Sequence, residues 1–249
     1  MQGNIRENTQ NRASDQPRFG IDAPGLVLGF AIGGPLLLLV SLTGWFALVP
    51  PLMWTMRCTG LVLCAEAILM TLSSLHGKRR VVRGMIESLQ LRGDEQVLDV
   101  GCGRGLLLLE AAQRLPHGNA TGIDLWSTRD QSGNAAAATH HNAELTGVAG
   151  RVRIDTGDMR QLPYADASFD TVVSSLAIHN LPTETDREQA VREIARVLKP
   201  GGQVALLDFR CTALYAQTLR EAGLVVQRSW PEFRMFPWVW IVRGRKAAA

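Results

Sequence analysis

Two long apolar runs open the chain, and a regular alternation of short apolar runs and amphipathic stretches follows them. The first run, PGLVLGFAIGGPLLLLVSLTGWFALV, has no charge over more than the about 20 residues a helix needs to cross a hydrocarbon core. Pro50 and Pro51 interrupt it, since neither supplies a backbone donor. A second run, LMWTMRCTGLVLCAEAILMTLSSL, is nearly as apolar, and between Gly25 and Leu75 the only charges are Arg57 and Glu66. The pattern predicts a transmembrane helical hairpin over 25–75, behind a polar segment 1–24. A linking helix near Lys78–Gln90 follows, within a linker of 76–95. From residue 96 to 249 the pattern becomes one α/β domain. Apolar runs at Gln96–Val100, Ala120–Asp124, Val152–Thr156, Asp170–Leu176 and GQVALLDF read as buried parallel strands. After them come a helix TALYAQTLREAG and strands LVVQRSW and PWVWIVRGRK.

A cleaved signal peptide fits poorly, because the first run is too long and a second span follows it. A buried core hairpin also fits poorly, because two such runs exceed what a domain of this size encloses. Arg6, Arg12 and Arg18 precede the hairpin and Lys78, Arg79, Arg80 and Arg83 follow it, while its turn carries no cation. Both termini are therefore expected on the cytoplasmic side. Gly25, Gly29 and Gly33 form a smooth helix face for close contact, first of all with the second span and alternatively with another copy in a homodimer. Pro35 is expected to kink the first span. Arg57 lies near enough to the turn to snorkel, whereas Glu66 is deeper and without an evident partner. The net charge of +3 gives no sign of a nucleic-acid partner. The four cysteines have neither disulfide nor metal-ligand spacing, and no metal site is expected.

The chemistry-bearing signal begins at Gln96. The strand runs into Gly101-Cys102-Gly103-Arg104-Gly105, and LLLLEAAQRL reads as the following helix. Such a loop lets backbone amides face a ligand without obstruction by side chains. A dinucleotide fingerprint would read G-x-G-x-x-G, whereas these glycines alternate strictly, and Asp99 would repel a pyrophosphate but suit a cationic amino-acid ligand. The string VLDVGCGRG resembles motif I of the class I S-adenosylmethionine-dependent methyltransferases, and the elements from about 84 to 246 follow in that family's order. The resemblance implies a seven-stranded, mostly parallel, doubly wound sheet. It also implies that Gly101, Cys102, Gly103 and Gly105 cradle the methionine part of S-adenosylmethionine, with Asp99 positioning its amino group. Asp124, at the end of the second strand, matches the ribose-binding acid, and Leu125 and Trp126 would flank the adenine. Gly157-Asp158-Met159 match the adenine contacts. Ser174, in the fourth strand, is a further cofactor-binding candidate.

In an open parallel sheet, ligands meet the loops beyond the carboxyl ends of the strands. After the fourth strand, His179 is the one side chain able to take a proton near neutral pH. It is the candidate catalytic base, with a structural role the open alternative. Asp208, Phe209, Arg210 and Cys211 follow the fifth strand and either line the site or cap the next helix. The polar stretch 125–145 reads as a lid, with His140 and His141 solvated. Trp230, Phe233, Phe236, Trp238 and Trp240 are expected mostly in hairpin packing, with Phe233 and Phe236 near the acceptor rim. Together these features point to a membrane-acting methyltransferase of a lipophilic small molecule, such as a quinone precursor, prenyl lipid or phospholipid. The alternatives are a soluble acceptor with the hairpin as mere anchor, or a cofactor-binding membrane protein without turnover.

Overall fold

The computed structural model describes residues 16–43, 50–128 and 130–248. Arg6, Arg12 and the turn between the two apolar runs lie outside the described residues. Helix α1 spans Pro24–Leu42 and α2 spans Pro50–Leu72, and Pro35 lies within α1 without ending it. Both helices are long and apolar enough to cross a membrane, and only 11% and 22% of their most apolar stretches are buried in the protein. Leu28, Ile32, Leu39, Trp54, Leu61 and Ile68 are all exposed, so the pair is not the core hairpin of a soluble domain.

The two helices meet at a different glycine pair from the one expected. A Cβ on Gly25, Gly29 or Gly33 would touch nothing within 4 Å. Gly34 and Gly60 make the contact instead: a Cβ on Gly60 would stand 2.9 Å from the Gly34 carbonyl, and one on Gly34 would stand 2.7 Å from Cys64 Sγ. Arg57 turns toward the end of α1, where its guanidinium donates to the Ser41 carbonyl at 3.4 Å.

No separate linker follows α2. The residues Ser73–Gly77 form one π-helical turn, and α3 (Lys78–Ser88) continues the same rod, which runs for 39 residues from Pro50 to Ser88. Val81, Val82, Met85 and Ile86 on α3 are buried against the α/β domain. The expected basic linker is thereby revised. Lys78 is buried and paired with Asp22 at 2.8 Å. Arg79 donates to the Pro17 carbonyl, and Arg83 approaches Glu110.

The domain is a 7-stranded sheet of β1 (Gln96–Val100), β2 (Asn119–Asp124), β3 (Val152–Thr156), β4 (Phe169–Ser175), β5 (Leu198–Asp208), β6 (Leu224–Arg228) and β7 (Trp240–Lys246), ordered β3-β2-β1-β4-β5-β7-β6. Only β7 runs antiparallel to its neighbours. β5 begins four residues earlier than the glycine pair suggested, because Leu198 already pairs with Phe169. Helices α3, α4 (Leu106–Ala112) and α5 (Ala136–Leu145) cover one face and α6 (Glu184–Val197) and α7 (Thr212–Glu221) the other, each with its own buried apolar cluster. The chain reverses direction across the sheet between β1 and β4, which opens a crevice at their carboxyl ends.

The two glycine sets make opposite predictions. Gly60→Val should overpack the hairpin and cost about 1–3 kcal/mol, seen as a lowered unfolding midpoint in detergent. Gly29→Val should leave the midpoint unchanged.

Candidate active site

The crevice begins where β1 ends. Gly101 has φ +74°, a conformation that glycine adopts without strain, and a Cβ there would collide with Ala177. The Gly101 and Cys102 amides donate to the Ile123 carbonyl at 2.8 and 3.2 Å, which ties the glycine loop to β2. Asp124, at the end of β2, accepts from the Gly103 amide at 2.8 Å and from the Trp126 amide at 2.6 Å. Asn134 adds a third donor at 3.3 Å. One carboxylate thus sets both loops that wall the crevice.

Asp99 is the electrostatic centre. Its side chain is buried, and neither carboxylate oxygen has a hydrogen-bond partner among the described residues. Burial, and then the nearby Asp124 charge, push its pKa up to about 8. The Ser175 hydroxyl is likewise buried without a partner and lines the same crevice. The Cys102 thiol is pushed well above its usual range by burial and by Asp99, so it is an inert packing group.

Of the expected site residues, Asp99, Gly101, Cys102, Gly103, Asp124, Leu125, Gly157 and Met159 line this crevice. Others are placed differently. Ser174 points across the sheet and donates to the Val100 carbonyl at 2.7 Å, while its neighbour Ser175 faces the crevice. The Trp126 indole is turned away and donates to Thr156 Oγ1 at 2.8 Å. The Asp158 carboxylate is held by Arg160, with its closest contact at 2.6 Å, and this partner draws its pKa down. Gly105 starts α4 at φ +87°, outside the lining; a Cβ there would press on Thr139.

Sequence reasoning missed the strap of residues 17–23. Its Ile21 carbonyl accepts from the Ser132 amide, its Ala23 amide donates to the Asp130 carbonyl, and Gln131 Nε2 donates to the Phe19 carbonyl. The strap and the stretch 130–134 therefore close the crevice together. Asp22 lines it and is tied to Lys78 and to Ser74. A polar segment ahead of an apolar run gave no signal of this docking, which depends on contacts more than 100 residues apart in sequence.

Next to the crevice lies a second cavity of 580 Å³, largely apolar, which shares Asp22, Asp130, Leu176 and Asn180 with it. One wall comes from the hairpin, through Gly25, Leu26, Phe30, Glu66 and Met70. The opposite wall comes from the domain, through His179, Phe209, Phe236 and Val239. His179 sits in the short 3-10 turn Ile178–Asn180, with Nδ1 2.8 Å from Asp208 Oδ1 and its ring edge-on to Phe209. Asp208 is buried and accepts from the Tyr215 hydroxyl at 3.1 Å. Burial and the Asp208 charge hold that hydroxyl protonated. The contact falls short of hydrogen-bond geometry, and Nε2 is the ring nitrogen on the side away from the carboxylate. Arg210 donates to the His179 carbonyl, and Cys211 only precedes α7. Trp230 and Trp238 depart from the expected packing and are exposed, and Phe233, exposed as well, stands edge-on to Trp238.

Residues 98–206 match the family described as a methyltransferase domain. The chain carries a class I S-adenosylmethionine-dependent methyltransferase domain. It is 33% identical over 128 residues to the ubiquinone/menaquinone biosynthesis C-methyltransferase of Geotalea daltonii, covering 51% of either chain. The chain spans about half the length of the curated relatives it matches. In fold, the methyltransferase domain is similar to the [4+2]-cyclase SpnF, with TM-score 0.60 at 20% identity over 71% of this chain and 84% of that one. It is also similar to a geranyl diphosphate methyltransferase bound to its diphosphate and sinefungin, with TM-score 0.57 at 14% identity over 74% and 83%.

The methyltransferase crevice fits S-adenosylmethionine on its own geometry. The glycine cradle admits a ligand where a Cβ would intrude, and an unpartnered carboxyl at Asp99 awaits a cation. The pKa of Asp99 yields a signed prediction. Between the ordinary value of 3.8 and about 8, the folded chain keeps a proton that the unfolded chain has lost. The cofactor-free domain should therefore lose stability as pH rises across that window. A cofactor ammonium seated against Asp99 should expel this proton. Calorimetric titrations near pH 6.5 in buffers of different ionisation heat should show proton release on binding, and Asp99→Asn should abolish it while weakening affinity about tenfold or more.

Proposed function

We propose that this chain is a membrane-anchored methyltransferase whose acceptor is a lipophilic small molecule that enters from the bilayer. The observation that carries this reading is the 580 Å³ cavity, whose size suits one small ligand and one of whose walls is the hairpin. A hairpin serving only as an address would have no reason to line the cavity beside the cofactor crevice. The exposed Trp230, Phe233 and Trp238 lie on the β6–β7 connection, which touches the rod where it leaves the apolar region. There the Phe236 amide donates to Ser73 Oγ at 2.8 Å. Exposed aromatics at such a level suit the interface of a membrane. On this reading both termini and the domain face the cytoplasm, and the open Gly29 and Gly33 face is free for a second copy.

The residues take the following roles. Asp124 grips the ribose, Asp99 holds the amino group of the amino-acid end beside the glycine loop, and Leu125 and Met159 pack beside the adenine. When bound, S-adenosylmethionine supplies a methyl group on a sulfonium, so the acceptor atom needs alignment above all. His179 Nε2, oriented by Asp208, takes the proton that a hydroxyl, phenol or activated carbon acceptor gives up. The quinone-type activity named for the relative from Geotalea daltonii is one member of this acceptor class.

The full chain in lipid nanodiscs, given methyl-labelled cofactor and a total lipid extract, should pass label into the organic phase. Label found only in water-soluble products would overturn the reading. For an acceptor that loses a proton, His179→Gln should lower kcat by about 10²-fold with cofactor affinity unchanged. Equal rates of wild type and variant across pH would leave alignment as the whole contribution of the protein.

A further inference from the structure

Glu66 is the one acidic residue in the apolar part of the hairpin, and it faces the cavity. Ionisable groups inside apolar spans are rare and costly unless a partner or a function holds them. Glu66 is half-buried, and no hydrogen bond or ion pair engages it among the described residues. Its position on α2 is not incidental to the cavity. Met70, Ser73 and Ser74 follow it at helical spacing on the same face and line the same space.

The charges around that space are one-sided. Asp22 is neutralised by Lys78, whereas no ion pair engages Glu66 or Asp130 among the described residues, and His179 lies against Asp208. No lysine or arginine lines the cavity among the described residues. Apolar walls provide no counter-charge for an anion, and an acidic group there opposes one.

We propose that Glu66 is a specificity-determining residue of the acceptor site. It accepts a hydrogen bond from a hydroxyl or amine on an otherwise apolar acceptor, and it excludes lipids with anionic headgroups such as phosphate, diphosphate or carboxylate. The inference rests on the lipophilic-acceptor reading and adds the polarity of the molecule to it. Phospholipids and prenyl diphosphates are thereby removed from the acceptor class, while phenols, hydroquinols and long-chain amines remain.

The test uses the full chain in nanodiscs saturated with S-adenosylhomocysteine and three probes of equal chain length: 4-decylphenol, decylammonium and decanoate. Binding is read as displacement of a fluorescent amphiphile. Comparison of variants with wild type cancels each probe's partition into lipid. Wild type should prefer the phenol and the amine to decanoate by at least tenfold. Glu66→Gln should remove the preference for the amine, and Glu66→Lys should reverse it. S-adenosylhomocysteine affinity equal to wild type reports that each variant is folded, since Glu66 lies outside the cofactor crevice. Binding of the probes with the same rank order in all three proteins would overturn the role of Glu66 and leave the lipophilic-acceptor reading standing. Failure of every probe to bind wild type would overturn that reading and this inference with it.

Discussion

One helix that must satisfy two surroundings governs this molecule. From Pro50 to Leu72 its outer side chains are apolar and uncovered by protein. From Val81 to Ile86 the same rod closes one face of the sheet with side chains almost wholly removed from solvent. The change between the two regimes occurs in a single π turn, Ser73–Gly77, whose widened backbone aims Ser73 at the β6–β7 connection and Ser74 at the strap. Gly77 passes so close to the Arg234 carbonyl that any side chain there would collide with it. π turns often mark sites where function displaces regularity, and here the turn fixes how the hairpin stands on the domain.

This rigid joint explains why the cofactor crevice and the hairpin share residues. Asp22 reaches the crevice because it lies two residues before the start of α1, and Lys78 reaches it because it is the first residue of α3. Losing Asp22 would be the costly way to break their ion pair, since the buried Lys78 charge would be left in a poorly solvated space. Lys78 also moderates the rise in the Asp99 pKa, although burial outweighs it. A displacement of the hairpin would thus alter the charge balance beside the amino-acid end of the crevice.

The parts of this arrangement visible in the sequence were those written locally. The strand edges at β1 and β3, the glycine loop, Asp99 and Asp124 all follow from short apolar runs and from the spacing of glycine and acid. Ser174 against Ser175 was not legible, because a one-residue change of side in a buried strand leaves no trace when both faces are covered. The contacts of Trp126 and Asp158 were not legible for another reason. Each found a partner, Thr156 and Arg160, that local pattern does not announce. The helix contact was misplaced by a single residue, Gly33 to Gly34, which is enough to turn a glycine by about 100° around the axis. The strap and the hairpin wall are long-range contacts, and only the fold reveals them.

A class I fold alone does not specify methyl transfer, and a cyclase stands among the proteins of similar fold. What distinguishes this chain is that its two adjoining cavities have different walls. The cofactor crevice is bounded by the strap and by the polar stretch 130–134, at the carboxyl ends of the strands. The second cavity is bounded by α1 and α2, which are apolar and exposed. On the proposed reading a polar cofactor and a lipophilic acceptor approach from opposite sides and meet where Asp22, Asp130, Leu176 and Asn180 border both spaces. Neither has to pass through the other's site, so filling one need not precede filling the other. The joint at Ser73–Gly77 then has a function beyond attachment: it keeps the membrane-side wall in register with His179, without which an acceptor held by the hairpin would not face the transferred methyl group.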